Sequence, residues 1–163
     1  MIYKRMKGTI METIVQAKRV LEIFKEMSQI PRESGNEKGI SDYIVNFAKN
    51  LGLEAHQDEI LNVVIKKAAS PGYESRPSII IQGHIDMVCV KDHASNHDFS
   101  KDPIANIIEG EWMRADHTTL GADNGMGAAM MLAILEDESQ QHGPMQLLFT
   151  TNEETGMDGA FAL

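Results

Sequence analysis

The sequence predicts an α/β domain built on a central sheet with helices around it. Two observations carry this prediction: helical periodicity alternates with short apolar runs, and no internal repeat or low-complexity linker interrupts the pattern. The 163 residues are 42% hydrophobic and 24% charged, close to the average for soluble globular domains. A chain of this length can bury a sizeable core, so we expect about one domain.

Two amphipathic helices are expected in the first third of the chain. Residues 11–29 have mostly helical apolar spacing, and Pro31 follows as a stop signal. The apolar positions of this helix are Ile14, Val15, Leu21, Phe24 and Met27. Ser34 followed by Glu37 is a capping-box pattern that opens a second helix, which ends near Gly52. The apolar face of the second helix comprises Ile40, Ile44, Phe47 and Leu51.

The strands are expected among short apolar runs. Residues 59–66 are interpreted as a strand, 78–82 (SIIIQ) as a buried strand because the run is continuous, and 145–150 as another buried strand. A turn and a strand are expected around 109–114. Residues 125–136, rich in small side chains, predict a buried helix, and a further helical segment is expected to begin within 157–163 (MDGAFAL).

Charge and composition narrow the classes of partner. With 15 basic and 24 acidic residues the net charge is −9, which argues against nucleic acid or an anionic membrane. Cys89 is the single cysteine, so an internal disulfide is impossible and a reducing, cytoplasmic location is expected. No apolar run reaches the ~18–20 residues of a membrane span. Residues 1–10 are basic without a signal-peptide core and are expected to be a disordered lead.

Acids and a histidine follow or precede buried runs at three places. His84 and Asp86 come directly after SIIIQ, Asp123 precedes the helical run, and Glu153 and Glu154 follow the last strand. Ligands of open α/β sheets bind outside the carboxyl ends of the strands, so these positions favour a binding site. Each motif alone has an ordinary explanation. His84 and Asp86 could be an exposed surface pair, and Asp123 or Asn124 could be the N-cap of the helix that follows. Glu153 and Glu154 could lie in a solvated loop.

Together the three motifs indicate a metal centre. His84, Asp123 and Glu154 offer nitrogen and oxygen ligands suited to zinc, or to manganese or cobalt, and Glu153 remains as a general base. In two-metal hydrolysis an aspartate bridges two ions ~3.5–4 Å apart, which polarise a carbonyl and lower the pKa of a bridging water. A glutamate then takes the proton of that water and passes it to the leaving amine. We therefore expect two divalent metal ions, with zinc preferred.

The motifs GHIDMV, TTLGADNGMG and TNEETGMDGAF, in this order and spacing, resemble the M20 family of metallopeptidases. The phrases HDFSKDPI and EGEWMRADHTTLGADNG are similar to its aminoacyl-histidine dipeptidase branch, and the similarity runs from about Ile23 to Leu163. The resemblance implies a zinc-peptidase-like catalytic domain with a central mixed sheet and an inserted lid or dimerisation domain. It also implies a homodimer and dipeptide substrates, including β-alanyl-histidine and other Xaa-His pairs.

The resemblance implies a role for each motif residue. His84 would bind one metal ion, and Asp86 would act in catalysis by orienting and tuning that histidine. Asp123 would bridge both ions, and a cis peptide bond would follow it. Glu153 would be the general base, and Glu154 would bind the second ion.

The chain departs from the family pattern in ways that limit these expectations. The family uses a further metal-binding acid and a final histidine, and the nine residues after Glu154 hold only Asp158 as an acid. Residues 11–163 are therefore expected to be the N-terminal portion of the catalytic domain, truncated before the lid and the C-terminal catalytic segment. Metal would bind weakly to such half-built sites. Asp116-His117 stands where the resemblance implies a small residue before TTLGADNG; His117 could perturb the loop or contact a metal ion, but an exposed histidine is expected.

Three functional hypotheses stay open. The first is part of a metal-dependent Xaa-His dipeptidase, which is a hydrolase as the complete protein and inactive as this fragment. The second is an M20 peptidase or deacylase of other specificity, such as a tripeptidase or an N-acyl amino acid deacylase. The third is a non-catalytic half-domain. The motifs around the metals do not separate the first two, because specificity resides mainly outside this chain.

Overall fold

The computed structural model describes residues 16–163. The expected lead over 1–10 and the predicted helical positions Ile14 and Val15 lie outside the described residues. The helices are α1 over 16–27, α2 (Lys38–Asn50), α3 (Ala122–Glu136) and α4 (Asp158–Phe161). The strands are β1 (Glu54–Gln57), β2 (Val63–Lys67), β3 (Ile79–His84), β4 (Asn106–Glu109), β5 (Trp112–Ala115) and β6 (Met145–Thr150).

A four-stranded mixed sheet in the order β1-β2-β6-β3 forms the centre of the fold. β2 pairs antiparallel with both β1 and β6, whereas β3 pairs parallel with β6. The register of the parallel pair sets His84 opposite Thr150, so β3 and β6 end at the same edge of the sheet. β4 and β5 form a separate antiparallel hairpin. The predicted α/β class with a central mixed sheet and flanking helices is confirmed.

The core lies where α1, α2 and α3 pack against the sheet. Met145, Leu147 and Phe149 alternate along β6 and are all buried, because residues two apart on a strand point to the same face. The side chains that meet them from the helices include Ile23, Phe24, Met27, Ile40, Ile44 and Leu132, all fully buried. Within residues 16–163, no helix combines the length and the apolar character that crossing a membrane requires.

Replacing Phe149 with alanine is expected to destabilise the fold by ~3–5 kcal/mol, because the change opens a cavity in a strand that is paired on both sides. The free energy of unfolding in urea, followed by circular dichroism, measures this loss. Ile80→Ala is the matched control, since Ile80 on β3 is 66% exposed and its truncation is expected to change stability by less than about 0.5 kcal/mol. Equal losses in both variants would contradict this placement of the core.

The two predicted N-terminal helices are confirmed, but some of their predicted apolar residues are exposed. In α1, Leu21 is 39% exposed while Ile23 is fully buried, so the apolar face is rotated from the predicted one. In α2, Leu51 lies at the C-cap and is 39% exposed, and Gly52 follows with a positive φ of 71°. Such a φ is the usual helix stop at a glycine.

The predicted capping box is wrong. Glu37 is the N-cap residue of α2, but no side chain caps that helix. The hydroxyl of Ser34 donates instead to Asp86, and the carboxylate of Glu37 accepts the backbone amide of Asn152. Both partners are distant in sequence, so Ser34 and Glu37 make tertiary contacts instead of capping the helix.

The strands differ from prediction in burial and extent. β3 is an edge strand of the sheet, with Ile79 50% and Ile80 66% exposed, so the prediction of a buried strand is wrong. β1 was not predicted. The strand expected over 59–66 begins only at Val63, because Asp58 accepts two backbone amides and closes a turn over the preceding residues. The turn and strand expected around 109–114 form the β4–β5 hairpin.

Candidate active site

The five predicted site residues lie together at the edge of the sheet where β3 and β6 end. His84 is the last residue of β3, and Asp86 follows it. Glu153 and Glu154 lie in the loop after β6, and Asp123 lies in the first turn of α3. The parallel pairing of β3 and β6 explains the convergence, because parallel strands deliver their carboxyl ends to the same edge.

His84 lies at the centre of this cluster with only 9% of its side chain exposed. Its Nδ1 faces Asp86 Oδ1 at 3.3 Å as an ion-pair contact. Its Nε2 faces Asp123 Oδ1 at 3.2 Å and Glu153 Oε2 at 3.8 Å. One ligand atom each of His84, Glu153 and Glu154 lies within 4.8 Å of the others. A carboxylate on one ring nitrogen with ligand groups before the other is the usual environment of a metal-binding histidine.

Electrostatics in the cluster favour a cation. Burial lowers the pKa of His84, but nearby carboxylates, chiefly Asp86, outweigh it and raise that pKa to about 9. Burial also raises the pKa of Glu154, with help from Glu153 and against the opposing effect of His84. Carboxylates crowded around one imidazole repel one another unless a proton or a metal ion relieves them. Nitrogen and oxygen donors in this mixture fit zinc, manganese or cobalt.

Asp86 forms the buried floor of the cluster. It is completely inaccessible to solvent and accepts hydrogen bonds from Ser34 Oγ at 2.7 Å and from the amides of Glu153 and Glu154, each at 3.1 Å. Burial acts to raise the pKa of Asp86, but His84 and these donors outweigh it and lower the pKa to about 2. The ionised carboxylate therefore orients the imidazole and the backbone of the glutamate pair together.

Asp123 forms the open side of the cluster, with 88% of its side chain exposed. Its peptide bond to Asn124 is cis, as the family resemblance implies. Gly121 is the N-cap of α3, in the left-handed conformation with φ of 70°, but Asp123 and Asn124 have non-helical φ and ψ, so the regular helix begins only after these two residues, at which the N-cap is predicted. An open pocket beside Asp123 and Glu154 is lined also by Val88, Thr119, Leu120, Gly121 and Ala122. A ligand can therefore reach the acids from solvent.

His117 lies outside the cluster. Its ring is 66% exposed, and its Nδ1 contacts Asp92 Oδ2 at 2.7 Å. Asp92 and Asp116 raise the pKa of His117. His117 therefore takes part in a surface contact and not in the cluster.

Sequence reasoning missed the residues that support the cluster from behind. Arg32 is only 2% exposed, and its guanidinium donates to the carbonyl oxygens of Ile85, at 3.2 Å, and Gly121, at 2.6 Å. A buried arginine has no signature in a single sequence. For Ser34 the capping-box pattern is a signal, but its local interpretation hides the contact with Asp86.

Comparisons with known proteins agree with the predicted family. The model of Peptidase family M20/M25/M40 matches residues 80–163, which include the whole cluster. The cytosol non-specific dipeptidase of Escherichia coli (strain K12) is 47% identical over 142 residues, covering 87% of this chain and 29% of that protein.

Solved structures extend the similarity to three dimensions. The crystal structure of aminoacylhistidine dipeptidase from Vibrio alginolyticus has a TM-score of 0.86 and 44% identity, covering 89% of this chain and 30% of that one. A tripeptidase from Staphylococcus aureus has a TM-score of 0.74 and 28% identity, covering 90% of this chain and 39% of that one. This chain thus spans less than a third of the length of each of these two dipeptidases, from Escherichia coli and Vibrio alginolyticus. The family match extends over half of the chain, and the chain belongs to Peptidase family M20/M25/M40.

Proposed function

We propose that this chain is the N-terminal portion of the catalytic domain of a metal-dependent dipeptidase that prefers Xaa-His substrates such as β-alanyl-histidine. The convergence of His84, Asp123, Glu153 and Glu154 at one sheet edge carries the proposal. The relatives named as dipeptidases support the substrate class. Because the chain spans 29% of the Escherichia coli relative, the activity is proposed for a longer protein that supplies the remaining ligands and a lid.

Each residue of the cluster has a task in this proposal. Two divalent cations, zinc or alternatively cobalt or manganese, held by His84, Asp123 and Glu154 would supply a polarised substrate carbonyl and a water of lowered pKa. Glu153, at the open side of the cluster with 41% of its side chain exposed, would act as the general base that accepts a proton from the attacking water and donates it to the leaving amine. Asp86 contacts both the imidazole of His84 and the backbone amides of Glu153 and Glu154, and so fixes their relative positions.

The proposal extends to partners and location. A small peptide is the substrate, the complete protein is a homodimer, and neither nucleic acid nor membrane is a partner. The net charge of −9 supports the exclusion of polyanionic partners. The cytosolic Escherichia coli relative and the single cysteine support a cytoplasmic location.

Release of histidine from β-alanyl-histidine tests the proposal. The product of the complete reading frame is expected to release histidine and to lose that activity when a chelator removes the metal. The 163-residue chain, assayed beside it, is expected to be inactive because its metal sites lack ligands. Restoration of activity by added zinc, cobalt or manganese then identifies the metal.

The choice of substrate separates the competing hypotheses. The value of kcat/KM is measured on one preparation for each of four substrates: β-alanyl-histidine, alanyl-alanine, a tripeptide and an N-acyl amino acid. Hydrolysis of both dipeptides at equal rates would remove the Xaa-His preference and retain the dipeptidase. Exclusive hydrolysis of the tripeptide or the N-acyl substrate would assign another M20 specificity. No hydrolysis of any amide would favour the non-catalytic half-domain.

A further inference from the structure

The loop 151–154, which carries the glutamate pair, is held through its backbone. Its last two amides donate to Asp86, and its first amide donates to Asn62 Oδ1 at 3.1 Å. Its second amide donates to Glu37 Oε1 at 3.0 Å. Four consecutive amides are thus bound by three side chains, which leaves the loop little freedom to move.

The contact made by Glu37 replaces one that its position in the chain would favour. Glu37 is the N-cap residue of α2, where a carboxylate can accept amides of its own helix and interact with the helix dipole. It makes no such bond. The side chain is only 4% exposed and reaches an amide 115 residues away. Burying a carboxylate is costly unless it is hydrogen-bonded, so this contact stabilises both partners.

The loop has features that require support. Asn152 has a positive φ of 52°, which a residue other than glycine adopts at a cost. The adjacent carboxylates of Glu153 and Glu154 lie close together in the cluster and repel each other. A fixed acceptor on the Asn152 amide opposes both effects.

The segment 32–37 as a whole reaches every part of the candidate active site. Ser34 binds the side chain of Asp86, and Arg32 donates to the carbonyl oxygens of Asp86 and Gly121. Glu37 adds the contact with the third part, the loop after β6. One short segment therefore ties together the end of β3, the approach to α3 and the glutamate loop.

We propose that Glu37 is a positioning residue, whose buried carboxylate sets the place of the loop that carries Glu153 and Glu154. The inference rests on the proposed metal site, because the position of the loop decides whether Glu154 lies close enough to His84 and Asp123 to complete the pair of metal sites. Ligand groups must be held to within a fraction of an ångström for tight binding, so a mobile loop weakens the site.

Two variants of Glu37 separate the hydrogen bond from the general effect of substitution. Glu37→Gln keeps a carbonyl oxygen at the same place, whereas Glu37→Met has similar length and no acceptor. Amide hydrogen exchange by NMR at Asn152, Glu153 and Glu154 of the 163-residue chain measures loop order. Titration calorimetry with Zn²⁺, on this chain and on the product of the complete reading frame, measures the strength of the site.

In Glu37→Met, exchange at Asn152 is expected to rise at least about tenfold, as for loss of one hydrogen bond. Zn²⁺ affinity is expected to fall by about 10- to 100-fold, the usual loss when a group that orients metal ligands is removed. Glu37→Gln is expected to retain both values within about threefold, because its acceptor remains. Exchange in the hairpin β4–β5 is expected to stay unchanged in both variants.

Three outcomes would overturn the proposal. The first is a folded Glu37→Met variant with unchanged amide exchange and Zn²⁺ affinity. The second is an equal loss of hydrogen-exchange protection and Zn²⁺ affinity in Glu37→Gln and Glu37→Met. The third is a lower unfolding midpoint as the sole effect of Glu37→Met. If Glu37→Met does not fold, Glu37→Asp, shorter by one methylene, replaces it with the same expected losses. If the unsubstituted proteins bind no Zn²⁺, the proposed function fails, and exchange at Asn152 still decides the role of Glu37.

Discussion

Replacing Glu153 with glutamine is expected to lower dipeptide turnover by about 10²–10⁴-fold, the usual contribution of a general base, and to leave the metal content nearly unchanged. Glutamine has the shape of glutamate but cannot accept the proton of an attacking water. The carboxylate of Glu153 lies at the open side of the cluster, 3.8 Å from His84 Nε2 and 41% exposed, so the substitution disturbs no core packing. The rate constant kcat and the bound metal, both measured on the product of the complete reading frame, test this.

Glu138→Gln is the matched control for that substitution. Glu138 is exposed just beyond the C-terminal end of α3, whereas Asp123 lies at the other end. At 1.5 Å per residue the two positions are roughly 20 Å apart. The control is expected to keep both turnover and metal. Retained turnover in Glu153→Gln would exclude Glu153 as the base, and loss of metal in that variant would assign it a ligand role instead.

Replacing Asp123 with alanine is expected to remove metal binding together with activity. Asp123 would contribute a ligand to both metal sites, so its loss is expected to weaken both, by more than the about 100-fold typical of a group that only orients ligands. The side chain of Asp123 is 88% exposed, so truncation to alanine is expected to leave the free energy of unfolding within about 0.5 kcal/mol of the parent protein. Calorimetry with Zn²⁺ and elemental analysis of the purified protein measure the loss.

Asp116→Ala controls for removing a carboxylate from the same stretch of chain, since Asp116 is exposed and its nearest basic partner is His117 at 3.7 Å. Metal content and turnover are expected to stay normal in this control. Normal metal content in Asp123→Ala would refute the bridging role. Loss of folding in Asp123→Ala would contradict the exposed position of this side chain.

The apolar pattern of the sequence was sufficient to predict those helices and strands that are buried in the core. α2 and β6 were predicted close to their observed bounds, because their apolar side chains repeat at the spacing that one buried face requires, whereas α3 was predicted from a run rich in small residues. β1 has no such repeat: its four residues EAHQ are half-buried or exposed, and pairing with β2 alone makes them a strand. β3 was misjudged in burial, because apolar composition does not reveal whether a strand has a neighbour on both sides.

The residues of the candidate site could be predicted from the sequence for a different reason. Each chemical motif stands directly beside a recognisable strand or helix, and in an α/β sheet those junctions form the ligand edge. The sequence by itself therefore indicates a cluster of His84, Asp86, Asp123, Glu153 and Glu154 at one edge of the sheet. Their roles in metal binding and proton transfer stay proposals that the substitutions above test.

The sequence by itself determined the α/β class, the family resemblance and the residues that form the cluster. Tertiary structure alone decided how that cluster is held. The capping-box pattern of Ser34 and Glu37 satisfies a local rule, yet both side chains bind groups brought near by folding. The physical reason is that a hydrogen-bonding side chain pairs with whichever partner the completed fold presents in the best geometry. Partners 52 and 115 residues away cannot be recognised from spacing along the chain.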